Sequence, residues 1–96
     1  MSYYILIAFL GCMVWGWKAS NESLSSKTVT ITKMSTEKEK AQECQTKCQQ
    51  EHTCNGFSYY YDDSMNQSTC FLFPMPIDVS NSERYPIGWV GLKSCM

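Results

Sequence analysis

"CQTKCQQEHTCNGFSYYYDDSMNQSTCFLF", residues 44–73, holds four of the chain's six cysteines, spaced C-x3-C-x5-C-x15-C. The use made of those thiols decides the fold. Zinc sites favour C-x2-C pairs or a mixed Cys/His set, and the only histidine is His52. The spacing therefore predicts no metal site and no cofactor. Whether the cysteines become disulfides depends on the compartment, which the first residues address.

"MSYYILIAFLGCMVWGW", residues 1–17, carries no charge, and its apolar run extends from Ile5 to roughly Trp15. That is short of the roughly 20 apolar residues a membrane span needs, and it suits the apolar region of a signal peptide. Val14 and Gly16 stand at positions −3 and −1 of a cleavage after Gly16. The expected division is a signal peptide at 1–16, a flexible polar leader at 17–27 containing "NESLSSK", and a folded domain at 28–96. An uncleaved N-terminal anchor is the alternative. On the cleaved reading the protein is secreted and extracellular, without membrane association. Closely spaced cysteines in a small extracellular domain become disulfides. Two Asn-x-Ser sequons, at Asn21 and Asn66, agree with a secreted glycoprotein.

Ninety-six residues allow one domain. A core that small leaves little net stability, and covalent cross-links are the usual remedy. The net charge is −1, with Lys and Arg scattered singly. With no basic stripe to meet phosphates, nucleic acid is not an expected partner.

Along the domain, "TVTITKM" alternates Val29 and Ile31 with threonines and reads as a half-buried strand. Thr36 with Glu39 forms a capping-box pattern that opens a helix, and no Gly or Pro interrupts the chain until Gly56. Ala41, Cys44 and Cys48 recur at i, i+3 and i+7, on one stripe of that helix. "GFSYYY" reads as a strand with Phe57, Tyr59 and Tyr61 on one face. "DDSMNQS" is a turn, "TCFLF" a second strand, "PIDVSNSERYP" a polar loop and "IGWVGLKSC" a final strand.

The helical C-x3-C, the C-x5 step into "CNGFSY" and the later "C-x-L" resemble the PAN/apple domain family. The resemblance spans about residues 28–95. It implies an α+β fold, with one amphipathic helix packed across a small antiparallel sheet and stapled by disulfides. It also implies the pairs Cys44–Cys70 and Cys48–Cys54. Helix geometry agrees, because cysteines one turn apart have parallel Cβ vectors and rarely bridge each other. Family members usually add a bridge between an N-terminal and a C-terminal cysteine. Cys95 fills the second place, but the only candidate for the first, Cys12, falls within the expected leader. Cleavage would leave Cys95 unpaired or in an intermolecular bridge, with a disulfide-linked homodimer as one outcome.

No active site assembles from this sequence, and an enzyme is not expected. His52, beside Glu51 near the helix end, reads as a solvated residue favourable to the helix dipole. Asp62, Asp63, Ser64 and Asn66 lack the spacing of a calcium loop. The aromatics point to recognition. Tyr60 faces away from Tyr59 and Tyr61 on its strand, and Trp89, on the last strand, lies near Arg84 and Tyr85 of the preceding loop. These four are the candidate ligand contacts. The expected function is a secreted, non-catalytic module that binds a glycan or an extracellular protein. The alternatives are a disulfide-stapled inhibitor or effector that blocks a host or prey protein, and a disulfide-linked matrix component.

Overall fold

The structure, a computed structural model, describes residues 13–31 and 35–93. Its elements in chain order are β1 (Met13–Ala19), β2 (Lys27–Thr30), α1 (Glu37–Gln50), β3 (Gly56–Asp62), β4 (Gln67–Phe73) and β5 (Ser82–Leu92). One-turn 3-10 helices occupy Glu22–Leu24 and Val79–Asn81. The strands form one antiparallel sheet in the order β1-β5-β3-β4-β2, and α1 packs across one face of it.

The helix begins where its capping box lies. Thr36 Oγ1 accepts from Glu39 N–H at 3.2 Å, and Glu39 Oε1 accepts from Thr36 N–H at 3.2 Å. Together they satisfy two donors that a helix start leaves open. Ala41, Cys44 and Cys48 all point inward and are fully buried. Cys44 bridges Cys70 on β4, and Cys48 bridges Cys54 just before β3. Both faces of the sheet are apolar. Under the helix lie Met13, Phe57, Tyr59, Leu72 and Trp89 with the cysteines. On the other face Ala19, Phe73, Ile77 and Val90 form a second cluster, with Val14, Trp17, Phe71 and Met75 packed against it. Ser58, the buried polar residue between the two, accepts the Ala19 N–H at 2.9 Å, so its burial leaves no unpaired hydroxyl.

Two boundaries differ from the sequence reading. Residues 17–27 are not a flexible leader throughout. Trp17–Ala19 completes β1, Glu22–Leu24 is a 3-10 turn, and Lys27 opens β2. The "SERYP" stretch is not loop, because β1 pairs with it: Trp17, Lys18 and Ala19 lie opposite Arg84, Glu83 and Ser82. The apolar stretch of residues 13–17 serves a strand here, where the sequence alone suggested a leader. Cys12 and Cys95 lie outside the described residues, as does the end of the expected "TVTITKM" strand.

The β1–β5 ladder is broken by an irregularity between Trp15, opposite Trp89, and Trp17, opposite Arg84. Two glycines permit it. Gly16 takes φ +92°, a region that glycine enters without steric cost. At Gly88 a Cβ would sit 2.5 Å from the Trp17 carbonyl oxygen. Backbone cannot yield there cheaply. Gly88→Ala is therefore expected to push β1 off β5, at a cost of about 2 kcal/mol. Thermal denaturation should show a melting temperature lower by roughly 10 °C. An unchanged melt would mean that β1 docks less tightly than described.

Candidate functional site

The irregularity turns the outer end of the sheet into a contoured surface. Trp15 is 64% exposed, although it belongs to a strand that packs into the core on either side of it. Its indole divides two clefts. One, about 290 Å³, is lined by Met13, Trp15, Lys38 and Trp89. The other, about 340 Å³, is lined by Trp15, Gly16, Arg84, Tyr85 and Pro86. Trp89 forms a floor more than a wall, being only 8% exposed, with its ring 6.0 Å from that of Tyr59 beneath the helix. Arg84 is exposed, and its guanidinium lies 5.2 Å from the centre of the Trp17 ring. Stacking of this kind holds the charge in place while leaving the guanidinium edge open to a ligand.

Three of the four candidate contacts named from sequence, Arg84, Tyr85 and Trp89, thus border the clefts beside Trp15. Tyr60 does not. It was expected to be an exposed contact, but it is half-buried on the face opposite the helix. Phe71 lies 6.2 Å from its ring and Tyr85 5.4 Å. The cause is Lys18, whose ammonium lies 5.1 Å from the Tyr60 ring centre and 5.6 Å from that of Tyr85. Glu22 at 3.5 Å and Glu83 at 3.8 Å balance the Lys18 charge, and Tyr60 Oη donates to Glu22 Oε1 at 2.9 Å. The chain's own lysine fills the space between these tyrosines. Tyr85 also donates to the Tyr61 carbonyl, at 3.3 Å. Sequence reasoning missed Trp15 because it was assigned to the leader. No local signal marked it, because Trp15 shares the strand face of buried Met13 and is exposed only because of its place at the end of the sheet.

Burial, then the Glu22 hydrogen bond, pushes the Tyr60 hydroxyl up to about 12. The neutral phenol is thereby favoured in the folded state. Its stabilising contribution is complete below about pH 10, where the unfolded tyrosine is also neutral, and is lost as pH rises toward about 12. Ultraviolet phenolate titration should show late-ionising tyrosines in the folded protein, Tyr60 among them and Tyr59, pushed up further by burial, later still. Tyr60→Phe should remove one of those late steps. A single titration near pH 10 in the folded protein would contradict the burial of Tyr60.

The remaining singled-out residues are structural. His52 is exposed in the turn after α1. Asp62 accepts from Ser64 N–H at 3.0 Å and from its hydroxyl at 2.7 Å, which holds the Asp62 carboxyl below its usual range and shapes the β3–β4 turn. Asn66 closes that turn at φ 50° and accepts from the Tyr61 hydroxyl. Asn21 caps the first 3-10 turn, accepting from Ser23 N–H at 3.1 Å. Both sequon asparagines are exposed. Among the described residues, no three His, Cys, Asp or Glu gather as a metal site. No described helix is long and apolar enough to cross a membrane.

A family model of the PAN domain matches residues 17–85. The chain belongs to the PAN domain family. The helix, the antiparallel sheet and the bridges Cys44–Cys70 and Cys48–Cys54 are the arrangement that the sequence resemblance implied. No curated relative matches it. PAN domains are in general binding modules for proteins or carbohydrates, and generally non-catalytic. This PAN domain differs from the sequence expectation in that its family match begins at Trp17, inside the strand that starts at Met13.

Proposed function

We propose that this PAN domain is a secreted recognition module that binds a glycan or an extracellular protein at the β1–β5 end of its sheet. The observation that carries this reading is Trp15, two-thirds exposed between two clefts and flanked by Arg84 and Tyr85. An aromatic held on a rigid strand loses little entropy on binding, and Trp, Tyr and Arg dominate contact energies. Paired cysteines and a small core fit an oxidising, extracellular setting, where the Asn21 and Asn66 sequons would be available for glycosylation. The inhibitor or effector role uses the same surface and differs only in what the bound protein can no longer do. The matrix role rests on an intermolecular bridge through Cys95.

A glycan array and a panel of extracellular proteins, probed with the wild type and Trp15→Ala, test the reading. Truncation of a central aromatic anchor is expected to cost about 2 kcal/mol or more of binding, roughly a 30-fold loss. Full binding by Trp15→Ala would place the contact surface elsewhere. Non-reducing electrophoresis addresses Cys95, since a dimer that Cys95→Ser abolishes supports the linked form.

A further inference from the structure

The clefts on either side of Trp15 each contain a cation that forms no ion pair with a described carboxylate. Lys38, exposed on the first turn of α1, lines the first, and Arg84 lines the second. Among the described residues, three carboxylates of this region are engaged with other partners, while the charges of Asp62 and Asp63 reach Tyr85 without closing on either cation. Glu83 and Glu22 lie within ion-pair distance of Lys18, and Glu37 pairs with Lys40 at 3.2 Å while accepting from the Tyr59 hydroxyl. No described carboxylate lies within 4.0 Å of Lys38 or Arg84. A chain with net charge −1 thus presents, among its described residues, two cations outside any ion pair astride one exposed indole.

We infer that this surface is a subsite for an acidic oligosaccharide, with one sugar ring stacked on Trp15 and sulfate or carboxylate groups reaching Lys38 and Arg84. The inference rests on the recognition-module reading and specifies the ligand class of that site. Arg84 is held over Trp17 with its N–H edge free, the arrangement that suits a planar or tetrahedral oxyanion. The flat indole offers an apolar face to sugar C–H groups. The clefts, about 290 and 340 Å³, lie to either side of it and suit a chain that crosses the indole better than a side chain buried in a single pocket.

The test uses the full chain, a sulfated oligosaccharide, its unsulfated parent and a poly-glutamate peptide, with binding measured by calorimetry at low and high salt. The sulfated form should bind at least roughly tenfold tighter than the parent, and Arg84→Gln should lose about tenfold, as expected for one charge-assisted contact. Lys38→Gln should lose somewhat less, and Trp15→Ala should abolish binding. Lys47→Gln, which removes an equal charge from the exposed side of α1, should change little. Binding should weaken with salt, because exposed charges are screened over about 10 Å at 0.1 M and about 3 Å at 1 M.

Equal affinity for the sulfated and unsulfated sugars, with Trp15→Ala still abolishing both, would overturn the acidic-ligand inference and leave the module reading standing. So would preference for poly-glutamate over the sulfated sugar. An equal loss from Lys47→Gln would reduce the effect to net charge and overturn the subsite. Trp15→Ala without effect on any ligand would overturn the module reading at this surface as well.

Discussion

A chain starting at Trp17 is expected to melt on the order of 15 °C below one that retains residues 13–16. Met13 is 5% exposed and lies in the core beneath the helix, and Met13, Val14 and Trp15 pair with Gly91, Val90 and Trp89. Removing them exposes the Trp89 edge and gives up a buried Met side chain, worth about 1.5–3 kcal/mol by itself. The lost strand pairing adds to this, and each kcal/mol moves the midpoint of a domain this size by roughly 4–8 °C. The sequence reading favours cleavage after Gly16, so fold stability and the leader pattern make opposite demands on the same four residues. N-terminal sequencing of the natural mature protein, beside melts of both forms, separates them. Equal melting temperatures would show that β1 is dispensable before Trp17. A natural start at or before Cys12 would return a sixth cysteine to the domain, next to Met13, as a partner for Cys95. The homodimer proposal would then give way to an internal bridge.

The second large effect concerns the two described bridges. Cys44–Cys70 spans a sequence separation of 26 and Cys48–Cys54 one of 6. In the chain-entropy account these closures contribute about 3.5 and about 2.4 kcal/mol respectively. Cys44→Ala with Cys70→Ala should therefore cost about 1 kcal/mol more than Cys48→Ala with Cys54→Ala. All four sulfurs are fully buried, so each pair of substitutions also leaves unfilled space in the core. Denaturant titration of both double variants checks the order. The reverse order would mean that native packing around Cys48 and Cys54, more than loop length, governs their contribution.

What the sequence disclosed depended on how local the signal was. The helix was legible to its first residue, because a capping box and a three-residue stripe are patterns within one short segment. The sides of β3 were legible from alternation, with Phe57 and Tyr59 buried beneath the helix. β1 was not, since an apolar run that serves as a leader and one that serves as an edge strand have the same composition. Only its distant pairing with β5 distinguishes them. The same non-local pairing explains Tyr60. Alternation put it on the correct face, yet nothing near it in the chain announces that Lys18 arrives there to cover it. For the same reason Trp15 was hidden and Arg84 was assigned to a loop.

Ligands are expected to meet this PAN domain at the β1–β5 end of the sheet, around Trp15. The chain has three tryptophans, Trp15, Trp17 and Trp89, and all of them lie on these two strands. Their indole N–H resonances, followed by NMR while the tightest-binding glycan or extracellular protein is added, report directly on that surface. The Trp15 signal should move most and Trp17, under Arg84, should follow, with Trp89 shifting least because it is nearly buried. Saturable binding that leaves all three indoles in place, with shifts confined to the β2 edge or the outer face of α1, would contradict that expectation.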